Sequence, residues 1–216
     1  MNFKKVWNFL WHEDSIWSWI VSIILAFILV KFIIYPLIGL ILGTGYPIVA
    51  VVSESMEHKA SCHLEEDCQY PTLCGVSVDM EGFHHLKSYW ENCGEWYENY
   101  DISMEEFEGY KFKNGFNKGD VIILVGREAK DIKVGDVVVF DGGLNYPIIH
   151  RVVQLWNDEE GYHFQTKGDN NERSSGNEVD ISEDKLIGKA VFRLPLLGWV
   201  KIKFSEIINL FGGLVK

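Results

Sequence analysis

The sequence predicts a mainly β domain carried on one N-terminal transmembrane helix and interrupted by a small cysteine-containing insert of helical and irregular structure. Three observations predict it. Residues 16–42 form a run of 27 residues whose only charge is Lys31. Short β-branched segments bounded by Gly and Asx turns recur through residues 119–201, and all four cysteines fall within residues 57–118.

A helix needs about 20 apolar residues to cross a bilayer, so residues 16–42 suffice. A cleaved secretory signal has an apolar core of only about 7–15 residues. Within the span, Lys31 either extends its stem toward an interface or marks where the buried part ends and a Tyr35-Pro36 kink begins. Lys4 and Lys5 precede the span, and Lys59 is the only base in the twenty residues after it. The positive-inside rule therefore puts residues 1–15 in the cytoplasm and the body outside it, where thiols can oxidise.

The 216 residues leave room for one sizeable domain beyond the anchor. Of the net charge of −11, residues 43–216 hold 29 acids against 17 bases. Such a body repels phosphate backbones, which excludes nucleic acid as a partner.

After the span, Tyr46-Pro-Ile-Val-Ala-Val-Val52 reads as a strand leading into Ser53-Glu-Ser-Met56. Residues 57–118 are acidic, with 13 acids and 5 bases, and Ser103-Met-Glu-Glu106 has the spacing of a capping box that starts a short helix through Phe107. A repeat follows: Lys118-Gly-Asp120 leads into the apolar run 121–125, and Val134-Gly-Asp136 into 137–140. Further strands are expected at 148–155, 162–166 and 189–192. The β domain thus comprises 43–56 and 119–201. Residues 202–216 form an amphipathic C-terminal segment, too short to span and expected to pack or lie at an interface.

A serine hydroxyl is a weak nucleophile unless a base and oxyanion donors accompany it. Ser55 ends a strand without a G-x-S-x-G elbow, and taken alone Ser53-x-Ser55 reads equally as a solvated turn. His150 closes an apolar run with Val152 on the same strand face, and a satisfied structural histidine would fit that pattern too. Lys167-Gly-Asp169 is a turn by composition. From the residues alone, Ser55, His150 and Asp169 form a possible set and no more.

Four ordered boxes, Ser53-Glu-Ser-Met56, Gly135-Asp-Val-Val-Val-Phe140, His150-Arg-Val152 and Thr166-Lys-Gly-Asp-Asn-Asn171, resemble those of type I signal peptidases. The likeness covers residues 16–56 and 119–200 and leaves the insert uncovered. Histidine at 150, where the bacterial branch has lysine, is similar to the archaeal and endoplasmic-reticulum branch. The resemblance implies a signal-peptidase-like β fold, with Ser55 as nucleophile, His150 as base, and the Ser53 hydroxyl and Ser55 amide as oxyanion donors. It also implies that Asp169 supports the histidine or else only holds its turn. The second family aspartate would fall at Ser175, so Asp180 is taken in its place, with a plain surface role for the cluster Glu178, Asp180, Glu183 and Asp184 as the rival. His58 stands where many relatives have proline. Lys167 as base of a serine–lysine dyad ranks below His150.

Cys62, Cys68, Cys74 and Cys93 lack a C-x-x-C pair, which favours two disulfides over a zinc site with nearby histidines. Neither a metal nor a cofactor is expected. The implied activity is removal of signal peptides from exported preproteins, with the lipid bilayer as the other partner and Ser55 held near the membrane surface. The long acidic insert suggests an archaeal cell membrane over the endoplasmic reticulum. A membrane-tethered extracytoplasmic binding domain with a vestigial serine box is the alternative.

Overall fold

A computed structural model describes residues 7–9, 12–13, 15–60, 71–78, 86–144, 146–199 and 202–203, which form two compact units divided between Pro47 and Ile48. The first unit is dominated by one continuous helical stretch, Ile16–Leu42, with a mean hydropathy of 2.6 in its most apolar window. Ser15 caps it by accepting from the Ser18 amide, and Gly43, at φ 68°, ends it in the left-handed conformation. Its two α-helical parts, α1 (Ile16–Leu29) and α2 (Tyr35–Leu42), are joined by a wider π-type turn at Val30–Ile34. Pro36 explains that turn. It has no amide to donate and its ring crowds the preceding turn, so the Tyr35 amide reaches back to the Val30 carbonyl. The helix therefore runs on through Lys31 and Pro36 without ending at either.

The second unit is a curled seven-stranded antiparallel sheet. In chain order its strands are β1 (Ile48–Ala50), β4 (Val121–Val125), β5 (Val137–Phe140), β6 (Ile148–Asp158), β7 (Gly161–Lys167), β8 (Ile181–Ser182) and β9 (Leu186–Leu194). Their order across the sheet is β1-β4-β9-β5-β6-β7-β8. A separate hairpin pairs β2 (Thr72–Leu73) with β3 (Val76–Ser77). All four residues of β5 are buried, as expected of an unbroken apolar run in a central strand.

The sequence repeat has a structural counterpart. Gly119 and Gly135 take φ values of 88° and 89°, and Asp120 and Asp136 each accept a backbone amide from three residues earlier. Both carboxylates then pair with a base of β9, Arg193 at 2.7 Å and Lys189 at 2.6 Å.

The described part of the insert packs against the sheet within the same unit. It contains α3 (Leu86–Glu98) and α4 (Met104–Gly109), the latter with both hydrogen bonds of the capping box at Ser103 and Glu106. Tyr89, Trp90, Cys93, Tyr97 and Phe107 form an aromatic core with Val153 of β6. Amphipathic α3 and strands β2, β3 and β8 are elements that sequence reading did not expect. A disulfide joins Cys74 to Cys93. Cys62 and Cys68 lie outside the described residues, as does the C-terminal segment apart from Ile202 and Lys203.

Candidate active site

Ser55 sits in the turn after β1, and three hydrogen bonds tie that turn to the one after β7. The Asn170 amide donates to the Ser55 carbonyl at 2.7 Å, its side-chain amide to the Glu54 carbonyl at 3.3 Å, and the Asp169 amide to the Met56 sulfur at 3.4 Å. His150 projects from β6 opposite Val138 of β5, and its Nε2 lies 2.9 Å from the Ser55 hydroxyl. On the ring's other side, Nδ1 is hydrogen-bonded to Glu178 Oε1. With Glu178 ionised, Nδ1 carries the proton and Nε2 is left to accept from Ser55.

Glu178 is 1% exposed. Burial pushes its carboxyl up, but His150 and the Ser175 amide and hydroxyl outweigh that and hold it below the usual glutamate range. The Ser175 amide donates to Oε2 at 3.0 Å, and the Thr166 hydroxyl to Oε1 at 3.2 Å. Ser53 Oγ stands 3.0 Å from Ser55 Oγ. A Cβ on Gly168 would lie 2.7 Å from His150 Nε2, so only glycine lets this turn approach the edge of the ring. A hydroxyl facing an imidazole nitrogen, with the ring oriented by a buried carboxylate, is the arrangement needed for nucleophilic hydrolysis.

Two clefts meet at Ser55. One, of about 270 Å³, has an apolar wall that includes Val49, Val52, Tyr146, Ile148 and Ile149, with Asn177 and Glu178 among its polar residues. The other, of about 790 Å³, is polar and includes Glu54, Lys118, Glu172 and Arg173.

Asp169 is fully buried and partnered elsewhere. Arg151 grips it with Nε at 2.9 Å and Nη2 at 2.6 Å, His58 Nε2 donates at 2.8 Å, and the Tyr97 hydroxyl donates at 3.0 Å. Burial pushes the Asp169 carboxyl up, yet Arg151 and His58 reverse this and hold it well below the carboxylate range. His58 stacks on Tyr89 with ring centroids 3.7 Å apart, and burial holds its imidazole below the ordinary range. Its Nδ1 is buried without a hydrogen-bond partner among the described residues, which fits a neutral ring protonated on Nε2.

Asp180 accepts from His163 Nδ1 at 2.7 Å, with its own side chain 65% exposed. The structure thus pairs neither Asp169 nor Asp180 with His150. Lys167 is buried, with Nζ donating to the Gly168 and Asp169 carbonyls at 3.1 and 3.3 Å and lying over the rings of Trp96 and Tyr97. Burial brings its pKa down to about 8.

No family model matches the chain. The signal peptidase complex catalytic subunit SEC11 of Candida tropicalis is 33% identical over 107 residues, covering 46% of this chain and 64% of the relative. Over that stretch the chain is similar to the catalytic subunit of a signal peptidase complex. Subunits of the same name from Colletotrichum graminicola and Dictyostelium discoideum are 36% and 38% identical over 98 residues, 42% of this chain and 57% and 54% of theirs. The chain therefore spans a little over half to under two thirds of these relatives' length. All three come from eukaryotes, so the archaeal origin suggested by the insert has no counterpart among them.

The site residue that sequence reading missed is Glu178, placed there in a surface cluster. The nearest signal was Ser175, standing where a carboxylate was expected. Its amide and hydroxyl instead hold the carboxylate of a glutamate three residues on, which the turn before β8 folds back under β7, with the Thr166 amide bonded to the Glu178 carbonyl at 2.9 Å.

Proposed function

We propose that this chain is a membrane-anchored serine endopeptidase that removes signal peptides from exported preproteins. The observation that carries the reading is the Ser55–His150–Glu178 line, with its nucleophile at the junction of two clefts. Ser55 Oγ attacks the scissile carbonyl while His150 Nε2 takes its proton, and Glu178 stabilises the resulting imidazolium. The Ser53 hydroxyl and the Ser55 amide donate to the developing oxyanion. His150 then returns the proton to the leaving amine, and water releases the acyl group by the reverse path. Asp169 acts at one remove: it holds the turn on which Gly168 and Asn170 position His150 and Ser55.

The apolar helix Ile16–Leu42 supplies the anchor, and the positive-inside rule places the sheet domain outside the cytoplasm. The relatives are named as catalytic subunits of a complex, which supports assembly of this chain with further subunits.

The test is cleavage of a preprotein by the purified chain in detergent. Ser55→Ala and His150→Ala are expected to lose on the order of 10³-fold or more in kcat while unfolding at the wild-type temperature. Full activity in folded Ser55→Ala would sink the reading.

A further inference from the structure

We infer that the insert forms one wall of a polar specificity cleft that receives the polypeptide flank on the leaving-amine side of the scissile bond. This rests on the peptidase reading above.

The hairpin β2–β3 is the part of the insert that reaches the cleft. Its two-residue loop has Cys74 at φ 52° and Gly75 at φ 80°, the left-handed pair that closes a tight hairpin. Three attachments fix it in place. The Cys74–Cys93 disulfide ties it to α3, the Cys74 amide donates to Asn170 Oδ1 at 3.1 Å, and Gly75 lies so close to Glu172 that a Cβ would sit 2.9 Å from the Glu172 Cβ. Asn170 is the residue whose amide holds the Ser55 carbonyl. The hairpin is thus fastened to the same turn that positions the nucleophile, and Thr72 and Gly75 line the 790 Å³ cleft.

The two clefts that share Ser55 differ in chemistry. The smaller has an apolar wall of Val49, Val52, Leu144, Tyr146, Ile148 and Ile149 beside the polar residues around His150, whereas the larger has no aliphatic or aromatic lining residue. The larger holds the Glu54–Lys118 ion pair at 3.7 Å together with Glu172 and Arg173, which are exposed and have no ion-pair partner among the described residues. An export signal is apolar and ends in small residues before the cut, whereas the released chain begins after it. An extended substrate with its signal side in the apolar cleft lays its other flank in the polar one. There charged side chains keep hydrogen-bonding partners, and Arg173 offers an ion pair to an acidic residue of the flank.

The experiment compares two peptides with the same residues before the cut, one continuing into a six-residue polar flank and the other ending in a single alanine amide. Thr72→Trp, which narrows the cleft, is expected to reduce kcat/KM on the flanked peptide by on the order of tenfold more than on the short one. Equal losses on both peptides would make the hairpin a purely structural element, and no loss on the flanked peptide would mean the cleft is unused; either overturns the inference. Arg173→Glu, at an exposed position, is expected to shift the kcat/KM ratio of glutamate-flanked to lysine-flanked peptides toward lysine by about threefold to tenfold. An unchanged ratio also overturns it. A folded wild type that cuts neither peptide nor preprotein fails the peptidase reading itself, so the two failures are distinguishable.

Discussion

Among the described residues two histidine–carboxylate pairs have both side chains buried, His150 with Glu178 and His58 with Asp169, and their surroundings differ in kind. Around His150, one nitrogen is held by the carboxylate and the other faces a serine hydroxyl at the junction of two clefts. Around His58, the ring is stacked on Tyr89, its second nitrogen faces no partner among the described residues, and its carboxylate is already neutralised by Arg151. A histidine beside a carboxylate is therefore not by itself a catalytic pair. What separates the two is what the far nitrogen can reach and whether the carboxylate's charge remains available to an imidazolium.

Conservative amide replacements test this division, and they should separate activity from stability in opposite ways. Glu178→Gln is expected to cut kcat by about 10²–10⁴-fold, because the amide no longer stabilises the imidazolium. Asp169→Asn is expected to cost about 3–5 kcal/mol in stability by leaving Arg151 buried and under-compensated, measured by denaturant unfolding. If Asp169→Asn instead stays folded at wild-type stability but inactive, the assignment of the two carboxylates is reversed.

Lys167 adds a pH signature to the buried pair. Its pKa is about 8 in the folded chain against 10.5 ordinarily, so between these values the unfolded chain holds the extra proton. That contribution makes stability rise as pH increases from about 8 to about 10.5, by up to about 3 kcal/mol. Lys167→Met should lack this rise when unfolding free energies of the two proteins are compared across that range.

Gly168→Ala places a methyl group against His150 Nε2. It is expected to lower kcat about tenfold or more with little change in KM, since it displaces the base and not the substrate. Asp180→Asn should have the smallest effect: an exposed partner of His163 contributes within about 0.5 kcal/mol and leaves kcat unchanged. A hundredfold loss of kcat in that variant would restore Asp180 to the site.

By itself the sequence determined the apolar helix, the alternation of turns and apolar runs that became β4, β5, β6, β7 and β9, and the capping box of α4. Each of these depends on residues adjacent in the chain, whose periodicity and turn chemistry act locally. It also marked Ser55 and His150, through ordered boxes. Only the tertiary structure decided which acid meets His150, because Asp169, Glu178 and Asp180 are alike in local pattern and differ only in burial and in the base that reaches them. Arg151 and His58, 93 residues apart in sequence, meet at Asp169 only after β6, β7 and the insert have packed together. The insert's role was equally invisible, since α3 and the hairpin gain their meaning from the Cys74–Cys93 bridge and the turn they clasp. Long-range packing sets the electrostatics of a buried carboxylate, and no short window of sequence contains it.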